Sequence, residues 1–207
     1  EMKFTNYSYQ LTLAASHRQK EKRYWENKLG GNPVKSIFNY DKLKADGTEP
    51  QYDSCKFSIK GDLLSRIKNL SKENDHTLFI IFYAAVSHIL YRYSANTNPD
   101  VVIGTTIFKK NTEAGLINTV LALRNTIDES KGIKDLLMQS RQTVVDAIEN
   151  QNFPFPVLVD QLKIDILEDE YPLFEVMLIL ENIQARDFLN DIPYRILFAF
   201  NRKEDSI

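Results

Sequence analysis

Cys55 is the single cysteine in 207 residues, so no internal disulfide can hold the fold together. Glycine and proline number only 7 each, too few for a collagenous or low-complexity chain. The 3 histidines, His17, His76 and His88, stand apart from one another, and no Cys/His pair has metal-ligand spacing. A glycine-rich phosphate loop and a Gly-x-Ser-x-Gly elbow are both missing. Charge of one sign is lacking too: 26 basic against 28 acidic side chains give no attraction for nucleic acid or an acidic membrane surface. The longest apolar run, Leu78 to Val86, falls well short of the ~20 residues that span a bilayer. No secretory signal opens the chain. These absences predict a soluble, cytoplasmic protein with no metal, nucleic acid or membrane partner.

What is present is 43% hydrophobic residues, enough to bury a substantial core. Ser16 to Leu29 reads as a helix stopped at Gly30-Gly31 by the left-handed conformation that glycine accepts. Residues 32–51 read as a surface connection. Cys55, Phe57 and Ile59 alternate with Lys56, Ser58 and Lys60, as in a half-buried strand, so Cys55 is expected to be a buried structural thiol. Asp62 is placed to cap a helix with Leu63, Ile67 and Leu70 on one face. Thr77 is placed to cap an apolar helix running to Tyr93, with His88 as a hydrogen-bonded core residue; His17 and His76 sit in polar surroundings.

Val101-Val102-Ile103, ended by Gly104, and a run from Val120 to Ile127 read as strands. Ser130 is expected to cap a helix whose Ile133, Leu136, Leu137, Val144, Val145 and Ile148 recur at helical spacing until Pro154. A short helix carrying Val157, Leu158, Gln161 and Leu162 follows. Leu173 to Leu180 and Tyr194 to Phe200 read as strands, the first central, with Glu175 at an edge facing water. The sum is a mixed α/β sandwich, with helices packed on a mixed sheet and no internal repeat or second-domain linker.

The run Asn150-Gln151-Asn152-Phe153-Pro154-Phe155-Pro156, where an amphipathic helix stops at an aromatic-proline corner, resembles the (His/Asn)-Gln-Asp-(Tyr/Val)-Pro-Phe-Glu motif of nonribosomal peptide synthetase condensation domains. Asn152 replaces the Asp and Pro156 the Glu. Further matches follow in the family's order: Tyr24-Trp25-Glu26-Asn27-Lys28-Leu29-Gly30-Gly31, Thr77-Leu78-Phe79, Leu90-Tyr91-Arg92-Tyr93-Ser94, Val102-Ile103-Gly104-Thr105, Leu121-Ala122-Leu123-Arg124 and Pro172-Leu173-Phe174-Glu175-Val176-Met177. Phe4-Thr5-Asn6-Tyr7-Ser8-Tyr9 loosely resembles the Tyr-x-Asp-Tyr-Ala-Val-Trp segment that follows the family's catalytic His-His-x-x-x-Asp-Gly motif. None of the histidines stands in that motif. Two stretches depart from the pattern: Gly115-Leu116-Ile117-Asn118-Thr119-Val120 is a shortened loop, and 166–173 replaces an arginine-rich segment with acidic and apolar residues.

The resemblance implies one lobe of a chloramphenicol-acetyltransferase-like fold. Residues 1–207 are then a single C-terminal lobe, truncated at both ends, of a domain that joins a donor acyl thioester to an acceptor aminoacyl group. No catalytic residue is expected in the chain, and the piece should be inactive alone. Candidates for a substrate tunnel or lobe interface are Gly104, Thr105, Asn118, Thr119, Arg124 and Gln151. Each has a plainer reading: Gly104 ends a strand, Asn118 satisfies backbone groups, the 150–156 corner fills core, and Arg124 forms an ion pair within the lobe. No cofactor is expected to bind directly; phosphopantetheine arrives on donor and acceptor carrier proteins. The N-terminal lobe is the other expected partner, with self-association of the fragment where that lobe would pack. Lys109-Lys110 and the basic side chains of 20–28 read as solvated faces or carrier contacts. A noncatalytic condensation-like interaction module and an acyl-coenzyme A transferase of the same fold are the alternatives.

Overall fold

The computed structural model describes residues 11–31, 35–38, 53–93, 99–108, 118–164, 173–190 and 192–207. Four strands, β1 (Asp100–Thr106), β2 (Val120–Thr126), β3 (Val176–Leu180) and β4 (Ile196–Phe200), form one sheet in the order β2-β1-β3-β4. β1 and β2 are antiparallel, while β1/β3 and β3/β4 run parallel, so the sheet is mixed as expected. The helices are α1 (Gln19–Leu29), α2 (Gly61–Ser71), α3 (Asp75–Tyr93), α4 (Ile133–Glu149) and α5 (Phe155–Leu162), with a 3-10 turn at Arg186–Leu189. α3 packs on β1, β3 and α4; α4 packs on β2, and α1 contacts α5 and β2.

The interior strands explain why the sequence alternates so little there. Every residue of β3 and all of β1 after Asp100 is buried, so both faces are covered and an apolar run serves both. Across the adjoining layer, α3 buries Leu78, Phe79, Phe82, Tyr83, Val86 and Leu90, and Phe82 stacks on Phe200 of β4 at 4.0 Å between ring centres. The expected interior helix is present, with one correction: His88 is exposed, on the outward face beside Ile89. Asn74, not Thr77, caps this helix, its Oδ1 accepting the Thr77 N–H at 3.0 Å.

Several local expectations fail for identifiable reasons. Residues 53–60 form no strand. Among the described residues only Ile59 of this segment finds a ladder partner, exchanging backbone hydrogen bonds with Ile207 at 2.9 and 3.1 Å. Phe57 is 70% exposed, and Cys55 is exposed, not buried. α2 starts at Gly61 without a side-chain cap and buries Leu64, leaving Leu63 and Leu70 on the outside. Ser130 bonds Asp128 instead of capping α4, where Asp135 accepts the Gly132 N–H at 3.2 Å. The Ser16–Leu29 helix is broken at His17, and Gly30 stays extended while Gly31 takes the left-handed conformation at φ +80°.

Glu175 is corrected as well. It precedes β3, an interior strand, and is buried in an ion pair with Arg195 at 2.9 Å. Burial is tolerated because the guanidinium supplies charge and a donor together. The connection at 39–52, Lys109-Lys110, the 111–117 part of the shortened loop, residues 165–172 and the segment before Leu11 lie outside the described residues.

Candidate functional site

β1 does not end at Gly104. It continues to Thr106, and the Phe174 ring lies over the glycine: a Cβ there would sit 2.5 Å from two ring carbons and closer to a third. Glycine is the residue that lets an aromatic face touch strand backbone at this point. Beyond it, β1 stays paired with β2 to Thr106, and the groups of 105–108 take further partners.

Those partners come from three separate segments. The Thr105 hydroxyl donates to Leu178 O at 2.7 Å. Ile107 N–H donates to Thr119 O at 3.1 Å. Phe108 N–H donates to Gln151 Oε1 at 3.1 Å. Asn118 Nδ2 then donates to Gln151 O at 3.0 Å and to Val120 O at 2.8 Å. Gly104, Thr105, Asn118, Thr119 and Gln151, scattered in sequence, thus converge on one end of the β1–β2 pair. Thr105, Asn118 and Gln151 are buried and Thr119 is half-buried.

The corner that carries Gln151 is built from α4 downwards. α4 ends at Glu149, and Asn150 Nδ2 donates at 2.8 Å to Asp146 O, which also accepts the Asn150 backbone N–H at 3.1 Å. Trp25 of α1 donates its indole N–H to Asn150 O at 2.8 Å. Phe153, Pro154 and Phe155 are buried, Asn152 is exposed, and Pro156 enters the first turn of α5, where its missing donor costs nothing.

Arg124 belongs to a different place. Its Nη2 meets Asp100 Oδ2 at 2.5 Å and its Nη1 donates to Gly30 O at 2.8 Å, so it closes the C-terminal end of α1 onto the opposite end of the β1–β2 pair. Partial burial raises the Asp100 carboxyl, but hydrogen bonds from Arg124 and Thr126 outweigh it and hold the group below its ordinary value. Burial pushes the nearby Lys28 ammonium down, against the pull of Asp146. Lys28 donates to Thr143 at 3.2 Å, Thr143 to Asn125 at 2.8 Å and Asn125 to Ser140 at 2.9 Å, a buried chain that fixes α1 and α4 to β2.

One member of the β1 network has no sequence pattern to mark it. Gln184, in the turn after β3, donates from Nε2 to Thr105 Oγ1 and to Thr106 O, both at 2.6 Å. Its signal is a buried carboxamide outside any regular element, which no periodicity shows. An open cleft of about 700 Å³ lies elsewhere, lined by His88, Tyr91, Arg92, Ile133 and Met138 beyond the Thr126 end of β2, and shares none of these residues. Among the described residues no group of His, Cys, Asp and Glu could hold a metal, and no helix is long and apolar enough to cross a membrane. The network can orient groups by hydrogen bonding but contains no histidine, thiol or carboxylate placed for proton transfer.

Comparison with known proteins places the chain in a family. Residues 1–206 match the Condensation domain family model. A linear gramicidin synthase of Brevibacillus parabrevis is 32% identical over 188 residues, 84% of this chain and 2% of that protein. Bacitracin synthase 3 of Bacillus licheniformis is 31% identical over 180 residues, 82% of this chain and 3% of that protein. The chain therefore spans a small fraction of the length of these relatives. The X-domain from teicoplanin biosynthesis superposes with a TM-score of 0.64 at 16% identity, covering 78% of this chain and 37% of that one. The starter condensation domain of the rhizomide synthetase RzmA superposes with a TM-score of 0.55 at 18% identity, covering 86% and 38%. The sheet with its packed helices is the chloramphenicol-acetyltransferase-like fold of these neighbours, and the chain belongs to the condensation domain family.

Proposed function

We propose that residues 1–207 are the C-terminal lobe of a nonribosomal peptide synthetase condensation domain, whose whole forms an amide bond between carrier-tethered substrates. The observation that carries this reading is a pairing of coverages: the family model matches almost the whole chain, yet the chain covers only 37% of the X-domain neighbour. The chemistry needs an acceptor amine to attack a thioester carbonyl, an oxyanion to form and a thiolate to leave. The histidine of the His-His-x-x-x-Asp-Gly motif is supplied by the N-terminal lobe. This lobe supplies placement: the tail of β1, with Thr105, Asn118, Thr119 and Gln151, forms one wall of the tunnel along which both acyl groups are set. Phosphopantetheine enters as part of the substrates, on donor and acceptor carrier proteins, and the reaction takes place in the cytoplasm.

Exposed apolar side chains, among them Phe57, Leu63, Leu70, Ile89, Tyr93, Ile133 and Met138, favour self-association of the isolated chain. The test is reconstitution with loaded donor and acceptor carriers. The chain alone is expected to give no product above the carrier-only control, and clear product would refute the lobe assignment. A noncatalytic interaction module is the second reading, favoured by the acidic and apolar residues that replace the family's arginines at 166–173.

A further inference from the structure

We propose that Gln184 is a positioning residue of the condensation site, an inference that rests on the lobe reading above. The side chain is buried, and its carboxamide meets three backbone or side-chain groups. Nε2 donates to Thr105 Oγ1 and Thr106 O, both at 2.6 Å, while Oε1 accepts the Leu180 N–H at 2.9 Å. The Gln184 backbone donates to Leu180 O at 3.1 Å, and the residue forms an isolated antiparallel bridge with Phe108.

The geometry explains why a carboxamide is required. β1 and β3 pair at Gly104 and Met177 and β3 continues to Leu180, but among the described residues no β-strand neighbours Phe108 on that side. Gln184 takes the place of the missing neighbour, presenting two donors and one acceptor on a single planar group. On the other side Thr119 O takes the Ile107 N–H and Gln151 Oε1 the Phe108 N–H. Thr105 through Phe108 is thereby fixed from both sides, and Gln184 sets where this stretch stands relative to Asn118 and Thr119. A glutamate of the same shape keeps the acceptor, loses both donors and turns a carboxylate towards Thr106 O. Loosening the stretch misplaces bound acyl groups without removing any atom that reacts.

The test uses the synthetase that carries this chain, with both carriers loaded. Gln184→Glu should lower kcat for condensation by about tenfold or more while acceptor KM changes by less than about twofold, under conditions where its thermal midpoint shows it folded. Adding Thr105→Val should cost little more, because the two substitutions break one unit. If Gln184→Glu does not fold, Gln184→Met, uncharged and similar in volume, carries the same expectation. An unchanged kcat, or a fall that only tracks the unfolded fraction, overturns the proposal. If the unsubstituted synthetase forms no amide bond, the functional reading is what fails. Amide exchange then decides on Gln184 itself: in folded Gln184→Met, which has no acceptor for the Leu180 N–H, exchange must quicken at Leu180, and unchanged exchange overturns the clamp.

Discussion

Replacing Gly104 with alanine adds one methyl group at the point where the sheet has no room for it. The new Cβ would stand 2.5 Å from Phe174 Cδ2 and Cζ, whereas ordinary contact begins at 3.4 Å, so ring or strand must give by about 1 Å. Neither yields easily. Gly104 is held by Ala122 on one side and Met177 on the other, and Phe174 is fully buried in the core cluster. Its φ lies outside the left-handed region, so backbone strain adds nothing and the cost is steric alone. Overpacking of this kind costs about 1–3 kcal/mol, and rigid surroundings place this case near the top of that range. A loss of about 3 kcal/mol lowers the melting midpoint of a chain this size by about 6–12 °C. Urea denaturation of Gly104→Ala, Phe174→Ala and the double variant measures both the loss and its cause. Phe174→Ala alone should cost about 3–5 kcal/mol, and distinctly less when Gly104 is already alanine, because the methyl group fills part of the space. Additive losses would refute the ring-on-glycine contact.

Phe155→Ala should destabilise the chain by about 3–5 kcal/mol, because the ring is buried at the corner; an unchanged urea midpoint would show it exposed. Trp25→Phe removes the donor to Asn150 O and should cost about 1–3 kcal/mol by the same assay. Asp100 has a folded-state pKa below its ordinary value of 3.8, so it stabilises the fold above that value and the contribution is lost as pH falls through the depressed one. Arg124→Met should therefore flatten the acid limb of the stability profile, and identical limbs would show that the ion pair contributes nothing. Cys55 should react with a thiol reagent in the native chain as completely as in denaturant, and protection would contradict its exposure.

The elements legible in the sequence are those whose residues carry their own pattern. The unbroken apolar run of β3 reflects a burial that every member shares, and the helical spacing of Leu136, Leu137, Val144, Val145 and Ile148 reflects full burial at Val144 and half-burial at the others, whereas Ile133 is exposed. The segment from Cys55 to Lys60 also alternates, but a strand needs a neighbour, and among the described residues only Ile59 has one. Pattern alone does not show that. Glu175 reads as an edge residue because its partner, Arg195, lies 20 positions later, directly before β4, and no local spacing links the two. The site divides in the same way. Gln151 is legible because the corner motif surrounds it, whereas Gln184 touches Thr105 across 79 positions and has no local signature. Arg124 stands out in the sequence as a charge needing a partner, and that partner, Asp100, is within the chain.

That this chain completes a catalytic domain whose histidine resides in another lobe is tested most directly by complementation. An N-terminal lobe bearing the His-His-x-x-x-Asp-Gly motif from the same synthetase is expressed separately and mixed with this chain and both loaded carriers, and dipeptidyl product is followed by mass spectrometry. Product is expected only when both lobes are present, rising to a plateau as the chain is titrated. Product from the N-terminal lobe at the same rate with and without this chain would contradict the two-lobe assignment.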